Sequence, residues 1–389
     1  MHESTKHESS SKSSYDVVIV GAGPGGGAAA HALVQAGKRV CVLEKERMPR
    51  YKPCGGAISG AVLDTLPVDR ETVCASRVHT VRFRFAGSQE VVGHIPENAV
   101  NIVDRARFDE ALVRGSGADV RDGTPVVDIQ ETPTGVEVET RTGERVSADY
   151  CVAADGPASL IGRKLLGRPG ELGAGVEADV VKREHTEPGV ALFHFGSVTN
   201  GYSWAFPRGD SYSVGAGVFR SVSVELKPEL YKLAAEWGDG EATPRILGRP
   251  LPVALRRRPR RTGRVFFVGD AAGLVDPLLG EGIRHAIASG RLAAECIIDA
   301  HPERYERLVH THIARYLMWA GAWAVFFHTF PRLSFELGVK NRGFIHDFLD
   351  VLAGDMTYRR FMLRSPYHAV RSVVSRSAKY PPSGWAPPS

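Results

Sequence analysis

A glycine-rich turn, Gly21-Ala22-Gly23-Pro24-Gly25-Gly26, lies between an apolar stretch and a run of small residues near the start of the chain. The stretch before it, Tyr15 to Val20, is typical of a buried parallel strand, and the segment from Ala28 to Ala36 predicts a helix. A second apolar run, Arg39 to Leu43, ends at Glu44. The sequence therefore predicts a β-α-β unit of about 30 residues, which restricts the fold to the α/β class.

Each glycine of the turn has a physical reason to be there. Gly21 permits the tight turn, Gly23 lets the backbone approach a pyrophosphate, and Gly26 lets the helix pack close to the sheet. With Pro24, these residues are the predicted phosphate-binding positions, because free N–H groups at a helix N-terminus favour anions. Glu44 can accept hydrogen bonds from a ribose hydroxyl and would repel a 2′-phosphate, which disfavours NADP at this site. The alternative is a β-α-β turn with a structural role alone.

Two further strand ends carry an aspartate beside a glycine: Asp155-Gly156 follows the apolar run Tyr150 to Ala154, and Gly269-Asp270 follows Val265 to Val268. An aspartate at a strand end can bind a ribityl hydroxyl. The helix predicted from Gly282 to Ala300 can stabilise negative charge on a reduced flavin ring at its N-terminus. An enzyme that binds NAD alone does not need three such segments, so the sequence predicts FAD.

Gly269-Asp270-Ala271-Ala272 and Asp155-Gly156 resemble the second and third fingerprints of glutathione-reductase-type, p-hydroxybenzoate-hydroxylase-like flavoproteins. In that group an arginine before a Phe-Asp helix contacts the flavin nucleotide. Arg105, which precedes Phe108-Asp109, matches it and is assigned this role by the resemblance. A surface salt bridge is the alternative for Arg105.

Three motifs narrow the resemblance to the geranylgeranyl reductase family. Pro49 to Gly56 (PRYKPCGG) resembles the P-x-x-K-x-C-G-G stretch of that family, Tyr202 to Pro207 (YSWAFP) resembles its Y-x-W-x-F-P substrate motif, and Leu279 to Ile283 (LGEGI) resembles its G-E-G-I loop beside the flavin. The resemblance implies a catalytic loop, a flavin loop and a substrate wall. Their residues are, in that order, Cys54, Gly55 and Gly56; Gly280, Gly282 and Ile283; and Tyr202, Trp204, Phe206 and Pro207.

The residue chemistry is compatible with these roles and leaves alternatives open. A thiol flanked by two glycines can approach a flavin ring closely, so Cys54 can shape the site, take part in proton transfer, or simply fill space in a tight loop. Tyr202, Trp204 and Phe206 alternate along one predicted strand and therefore face the same side, either as a wall for an isoprenoid chain or as a core face. Pro207 is expected to end that strand. Lys52 can pair with a phosphate or a carboxylate, or be an exposed loop lysine.

The order of these segments predicts a discontinuous domain. We expect a Rossmann-like FAD domain of the glutathione-reductase type with an inserted antiparallel-sheet substrate domain and a helical C-terminal segment. The predicted parts are a tail at 1–14; an FAD domain at 15–77, 101–168 and 262–300; a substrate domain at 78–100 and 169–261; a helical segment at 301–375; and a loose tail at 376–389.

Composition limits the class of protein. The formal net charge of +5 is too small to indicate nucleic-acid binding, although the segment from Arg245 to Arg264 contains eight arginines. That run is either an exposed loop or a dock for an anionic membrane surface or a phosphate. The five cysteines form no C-x-x-C pair, which favours a reducing cytosol. The apolar segment Tyr316 to Phe330 is too short to span a bilayer, so the expected location is cytoplasmic, with peripheral contact on the cytoplasmic membrane face as the alternative.

The resemblance implies an FAD-dependent oxidoreductase that acts on CH–CH groups, saturating double bonds of an isoprenoid chain by hydride transfer from N5 of reduced flavin. The expected partners are an isoprenoid lipid, quinone or pigment as substrate, and NADPH, reduced ferredoxin or a quinol as electron donor. Two rival functions remain: a flavin monooxygenase or halogenase of the same fold, and a non-catalytic lipid or quinone carrier with a vestigial flavin fold.

Overall fold

The computed structural model describes residues 15–365, apart from 86–89, 168–171, 185, 220–223, 241–243, 254–258 and 337–340. The predicted tails and part of the arginine run therefore lie outside the described residues, as do the last ten residues of the predicted helical segment.

Strands make up three sheets. In chain order they are β1 (Tyr15–Val20), β2 (Val40–Leu43), β3 (Ala57–Ser59), β4 (Cys74–Val78), β5 (Thr80–Phe85), β6 (Val91–His94), β7 (Val100–Val103), β8 (Asp119–Arg121), β9 (Val126–Glu131), β10 (Val136–Thr140), β11 (Arg145–Ala153), β12 (Gly173–Val181), β13 (Val190–Phe195), β14 (Gly201–Arg208), β15 (Ser211–Val218), β16 (Leu247–Leu251), β17 (Arg261–Thr262) and β18 (Val265–Phe267).

Helices connect and cover these sheets. The α-helices are α1 (Pro24–Gln35), α2 (Gly60–Leu63), α3 (Arg70–Val73), α4 (Arg105–Arg114), α5 (Leu160–Leu166), α6 (Lys227–Trp237), α7 (Ile283–Ile298), α8 (Tyr305–Val309), α9 (Arg315–Thr329), α10 (Pro331–Ser334) and α11 (Arg342–Ala353). A 3₁₀ turn spans Gly269–Ala272, and a π-helical turn, His310–Ala314, joins α8 to α9.

The first sheet has the strand order β17-β18-β11-β1-β2-β8, with β9 and β10 attached to β11. β1 lies parallel to both β2 and β11, and β11 lies parallel to β18. The carboxyl ends of these parallel strands therefore meet at one edge, which is where ligands bind in open α/β sheets. The predicted glycine turn and the two predicted strand-end aspartates all follow strands of this sheet.

The helix after the glycine turn differs from its prediction. α1 begins at Pro24 instead of Ala28, because the three glycines after Pro24 continue directly into the helix. α1 packs closely on α7: a Cβ added to Gly290 would lie 2.2 Å from the carbonyl oxygen of Gly25. Glycine at this crossing lets the two helices approach closely at the end where a nucleotide phosphate would lie.

The second sheet has the order β16-β12-β15-β14-β13-β5-β6 and is antiparallel except between β5 and β13, which run parallel. A small third sheet, β3-β7-β4, contacts β14 of the second sheet through β4 and β7, and helix α7 through β3. The chain leaves the first sheet after β2 and after β11 and returns to it each time. We propose that the predicted domain boundaries follow these crossings.

Aromatic contacts attach the C-terminal helices to the second sheet. The ring centroids of Phe195 and Phe327 lie 4.9 Å apart, and those of Phe85 and Phe335 lie 5.2 Å apart. The aromatic segment that includes α9 thus contributes to the core beneath this sheet, while part of its surface, such as Met318 and Phe330, stays exposed. Across the described ranges, the helices are all too short or too polar to cross a membrane.

Candidate active site

A cavity of about 940 Å³ extends from the edge of the first sheet to the face of the second. It brings together nearly all of the residues predicted for cofactor and substrate. The predicted residues that line it are Gly21, Gly23, Pro24, Glu44, Cys54, Gly55, Gly56, Arg105, Asp155, Gly156, Tyr202, Trp204, Phe206, Gly269, Asp270, Gly280, Gly282 and Ile283. The two predicted residues outside this lining are Gly26 and Pro207.

The glycine turn forms one end of the cavity. Gly21 has a φ of +105°, and a Cβ added there would lie 2.3 Å from the carbonyl oxygen of Ala154. Gly26 lies behind the turn, where a Cβ would lie 2.0 Å from the carbonyl oxygen of Gly21. At Gly23, by contrast, a Cβ would meet nothing within 4 Å and would project into open space. This is the cradle that a pyrophosphate at the N-terminus of α1 would fill.

Glu44 is buried at the edge of this cradle. Its carboxylate accepts hydrogen bonds from the backbone N–H of Ala22 at 2.9 Å and of Glu46 at 3.1 Å. A guanidinium N–H of Arg50 donates to it at 3.4 Å. The side chain is therefore fixed in orientation at the position where a ribose hydroxyl was predicted to bind.

Arg105 is buried in an ion pair as well as lining the cavity. Its Nε and a terminal nitrogen donate to the two carboxylate oxygens of Asp109 at 2.9 and 2.8 Å. Arg50 donates to the same carboxylate at 2.9 Å, so Glu44, Arg50, Asp109 and Arg105 form one continuous buried network. The alternative of a surface salt bridge is wrong, because this ion pair is buried and Arg105 is only 9% exposed. Sequence reasoning did not single out Arg50, although it lies within the PRYKPCGG stretch.

The two strand-end aspartates carry acceptors for hydroxyl groups. One carboxylate oxygen of Asp155 accepts from the N–H of Ile161 at 3.2 Å, and the other is buried without a hydrogen-bond partner among the described residues. Burial raises the pKa of Asp155 and of Asp270, so both carboxylates are stabilised by a ligand that donates hydrogen bonds. Gly282 approaches Asp270 so closely that a Cβ would lie 3.1 Å from its Oδ1.

Lys52 lies beside Asp270 and lines the cavity. Burial, together with the charges of Arg249 and Arg105, lowers the pKa of Lys52 to about 8. The prediction of an exposed loop lysine is therefore wrong. An anionic ligand in the cavity would stabilise the charged form of this amine. The open cradle at Gly23, the partnerless oxygen of Asp155 and these cations together fit an FAD dinucleotide.

The loop Cys54-Gly55-Gly56 lies directly against the aromatic strand. A Cβ added to Gly55 would be 2.8 Å from the ring of Phe206 and 3.8 Å from Nε1 of Trp204. Gly56 has a φ of +75°, and its N–H donates to the Cys54 sulfur at 3.4 Å. The loop can therefore pass between the cofactor end and the aromatic side chains because Gly55 carries no side chain.

Arg208 fixes this loop in place. Its guanidinium donates to the Cys54 carbonyl oxygen at 2.5 Å and to the Asp179 carboxylate at 2.7 Å. The Tyr51 hydroxyl donates to the other Asp179 oxygen at 2.9 Å. Sequence reasoning missed Arg208, and its place directly after the YSWAFP segment is the signal that could have found it.

Tyr202, Trp204 and Phe206 lie on one face of β14, as their alternation predicts, and form an aromatic wall. The ring centroids of Tyr202 and Trp204 are 6.0 Å apart, and those of Trp204 and Phe206 are 6.3 Å apart. The wall is both a core face and a cavity lining. Gly215 on β15 makes room for the indole, since a Cβ there would lie 2.1 Å from it.

Pro207 does not end the strand as predicted. It lies within β14, paired with Tyr212 of β15, and the strand continues to Arg208. The prediction that Pro207 ends the strand was wrong because a proline is tolerated in a ladder wherever its missing N–H is not needed. Because side chains alternate along a strand, Pro207 faces away from Phe206 and from the cavity.

The loop before α7 closes the cavity beside the wall. The hydroxyl of Tyr202 donates to the carbonyl oxygen of Leu279 at 2.5 Å. Gly280 has a φ of +68°, and a Cβ there would lie 3.0 Å from the ring of Phe219. Gly282 caps the N-terminus of α7, which therefore points its free N–H groups toward this part of the cavity.

Comparison with known proteins identifies the domain and the family. A family profile described as an FAD binding domain matches residues 14–195. The chain is 30% identical to a menaquinone reductase of Mycolicibacterium smegmatis over 77% of this chain and 81% of the relative. It is 31% identical to digeranylgeranylglycerophospholipid reductase 1 of Methanopyrus kandleri over 74% of this chain and 82% of the relative.

Solved structures share the fold. A geranylgeranyl bacteriochlorophyll reductase-like protein of Thermoplasma acidophilum superposes with a TM-score of 0.70 at 21% identity, covering 93% of this chain and 96% of that one. A myxobacterial FAD-dependent halogenase superposes with a TM-score of 0.62 at 21% identity, covering 76% of this chain and 78% of that one. At these identities the structures establish the fold, and the sequence relatives establish the family. The chain belongs to the geranylgeranyl reductase family of FAD-dependent oxidoreductases.

Proposed function

We propose that this chain reduces carbon–carbon double bonds of an isoprenoid chain by hydride transfer from N5 of reduced FAD. The observation that carries the proposal is the contact of the Phe206 ring with Gly55. It puts an apolar aromatic wall and the cysteine loop in the same cavity as the nucleotide cradle. A polyene offers only apolar area and π faces for recognition, and such a wall supplies the matching surface.

Bound FAD supplies a two-electron reductant. The chain's own residues supply position and exclusion of water. The wall of Tyr202, Trp204 and Phe206 holds one face of the polyene, and Phe193 of β13, whose ring centroid is 5.1 Å from that of Phe206, extends the apolar surface. Hydride transfer to an unactivated alkene depends on such positioning for much of its rate.

The remaining site assignments belong to the same proposal. Gly21, Gly23 and Pro24 form the pyrophosphate cradle, Gly26 supports it from behind by letting the helix pack close to the turn, and Glu44 binds a ribose hydroxyl. The other cofactor positions are Arg105, Asp155, Gly156, Gly269, Asp270, Gly280, Gly282 and Ile283. Cys54, Gly55 and Gly56 form the catalytic loop, and the wall residues bind the substrate. The placement of Pro207 removes it from the substrate contacts that we propose.

The substrate is proposed to be an isoprenoid lipid, a quinone tail or a pigment ester. NADPH, reduced ferredoxin or a quinol is the proposed donor. A peripheral contact with a membrane surface is supported by the exposed apolar side chains of α9 and the segment after it, such as Met318, Phe326 and Phe330. Such a contact would bring a membrane-dissolved polyene to the cavity.

The experiment uses the full chain loaded with FAD and reduced by dithionite under anaerobic conditions. It is mixed separately with geranylgeranyl diphosphate, a geranylgeranylated phospholipid and a menaquinone. Air then reoxidises any menaquinol, whose quinone ring dithionite reduces directly, and the products are analysed by mass spectrometry. We expect products heavier by two hydrogens for at least one substrate, without oxygen. Activity that requires oxygen would support the monooxygenase or halogenase alternative. Failure to bind FAD would support the carrier alternative.

A further inference from the structure

A cluster of buried polar side chains lies between the loop before α7, the helix α7 and the C-terminal segments. Asp276, Glu281, Arg284, His285 and Tyr358 form this internal carboxyl cluster. Asp276 and Tyr358 are fully buried, and His285 is 4% exposed. Nothing in the cofactor or wall assignments uses these side chains.

The polar atoms of the cluster are incompletely satisfied. One Asp276 oxygen accepts from the N–H groups of Leu278 and Leu279 at 2.7 and 3.0 Å. The Asp276 carboxyl also interacts with the Tyr358 hydroxyl, in a side-chain contact that falls short of standard hydrogen-bond geometry, and Nε2 of His285 is buried without a partner within the described part of the chain. The nearest carboxylate oxygens and imidazole nitrogen of Asp276, Glu281 and His285 all lie within 4.8 Å of one another.

The charges of this cluster do not balance if both carboxyls are ionised. One guanidinium, that of Arg284, pairs with Glu281 at 2.8 Å and also bonds the hydroxyl of Tyr316. Burial and the neighbouring Arg284 lower the pKa of His285 strongly, so its imidazole is neutral. Two carboxyls thus share one cation in a buried site, where an unpaired charge is costly. Burial accordingly raises the pKa of both Asp276 and Glu281, which favours protonation of one member of the pair.

Glu281 is the member of this pair that reaches the cavity. It lines the cavity, whereas Asp276 lies behind it, with its N–H donating to the Glu281 carbonyl oxygen at 2.9 Å. The adjoining Gly280 is close to the wall, since its Cβ would lie 3.9 Å from the Tyr202 hydroxyl oxygen. That hydroxyl already donates its hydrogen to Leu279, so it is poorly placed to give a proton to a substrate.

We infer that Glu281 is the general acid that delivers a proton to the substrate alkene, and that Asp276, which has no cation partner of its own among the described residues, holds the shared proton that passes to Glu281 for this step. This inference rests on the proposed function. As the π bond breaks, one alkene carbon accepts the hydride from reduced FAD and the other accepts the proton from the Glu281 carboxyl. Two C–H bonds form, FAD is oxidised, and Glu281 is left as a carboxylate paired with Arg284. The electron donor then reduces FAD again, and the cluster takes up a proton from water.

The test compares wild type, Glu281→Gln and Glu281→Asp in the FAD-loaded full chain. The matched control is Glu295→Gln, which changes an exposed glutamate on α7, the helix that follows Glu281. After dithionite reduction, geranylgeranyl diphosphate is added anaerobically and the yield of product heavier by two hydrogens is followed. We expect Glu281→Gln to lower the single-turnover rate by about 100-fold, the usual contribution of a general acid. We expect Glu281→Asp to restore part of it and Glu295→Gln to leave it unchanged.

A second readout does not depend on turnover. The infrared carbonyl band of a protonated carboxyl, identified by its shift in D₂O, is recorded for the FAD-loaded proteins. We expect a band in wild type that persists in Glu295→Gln and is lost or displaced in Glu281→Gln and Asp276→Asn. FAD affinity is measured for every variant, and a fall in affinity matching the fall in rate would assign Glu281 to cofactor binding instead.

Three further outcomes overturn the inference. These are a Glu281→Gln rate equal to that of wild type, a carboxyl band that the substitutions do not affect, and one divalent cation per chain that is lost in Asp276→Asn. The last would make the cluster a cation site. If wild type reduces no isoprenoid at all, the proposed function fails, while the infrared band still decides whether the cluster stores a proton.

Discussion

The two ends of the cavity are built in different ways. The nucleotide end consists mainly of backbone: Gly21, Gly23 and Gly26 lie where a side chain would collide with the protein or with a ligand. The substrate end consists of side chains, chiefly the aromatic rings of β13 and β14. With cofactor bound, the nucleotide end therefore has no room for a side chain at these three glycines, whereas the substrate end can change shape by exchange of one side chain for another. This difference suits a cofactor that stays constant and a substrate that varies among relatives.

The largest expected effect is at the packed side of the nucleotide end. In Gly26→Ala, the new methyl group would lie 2.0 Å from the Gly21 carbonyl oxygen, so the turn must shift. We expect the free energy of unfolding to fall by about 1–3 kcal/mol, the usual cost of overpacking. Denaturant unfolding of the FAD-free protein measures it. Gly321→Ala is the control, because a Cβ there makes only an ordinary contact at 3.6 Å; equal stability of the two variants would contradict the prediction.

Gly23→Ala separates folding from cofactor binding. Its Cβ meets nothing within 4 Å in the protein, so the FAD-free variant should unfold like wild type. The methyl group would, however, occupy the cradle proposed for the pyrophosphate. We expect FAD affinity to fall at least tenfold, or about 1.4 kcal/mol. Fluorescence titration with FAD measures it, and unchanged affinity would move the pyrophosphate away from Gly23.

At the substrate end, Phe206→Leu should change recognition without changing the cofactor. The ring contacts of Phe206 with Trp204 and Phe193 are lost, and such contacts contribute about 0.5–1.5 kcal/mol each beyond burial. We expect FAD content to stay at the wild-type level and KM for the isoprenoid to rise by up to about tenfold. Steady-state kinetics with parallel absorbance spectra test this. Loss of FAD from this variant would show that the two ends are not independent.

The smallest expected effect is a pH dependence that belongs to the nucleotide end. Because the pKa of Lys52 is lowered to about 8, the unliganded protein loses this positive charge as the pH rises through 8. The FAD pyrophosphate would favour the charged amine, so binding above pH 8 must be accompanied by proton uptake. We expect FAD affinity to fall a few-fold between pH 8 and 9 in wild type.

Lys52→Met should remove most of that dependence, and Lys227→Met, at an exposed lysine, should preserve it. FAD titrations of both variants at several pH values measure how FAD affinity depends on pH. A slope that persists in Lys52→Met would assign the pH dependence to another group.

Sequence reasoning predicted the nucleotide end more fully than the substrate end. Gly21, Gly23 and Glu44 are each explained by a local β-α-β pattern, in which a short stretch of chain specifies both the turn and its use. The start of α1 at Pro24 was missed because the three glycines after it have poor helix propensity, which close packing against α7 overrides. The strand end at Pro207 was misplaced because a local rule was applied to a residue whose ladder position depends on β15.

The residues that sequence reasoning missed act over long distances along the chain. Arg208 binds the carbonyl oxygen of Cys54 across 154 positions, and Arg50 meets Asp109 across 59. No periodicity or spacing in the sequence predicts such pairs, because the packing of the sheets determines which residues meet.

The glycine turn, the strand-end aspartates and the apolar alternation of β14 were determined by the sequence itself, because each depends on backbone geometry or side-chain alternation within a few residues. Tertiary structure alone decided that Gly55 touches Phe206, that Arg208 fixes the cysteine loop and that Glu281 shares a buried site with Asp276. Those contacts depend on which surfaces of distant segments become buried together, and burial also sets the charge that a carboxyl or an amine can keep.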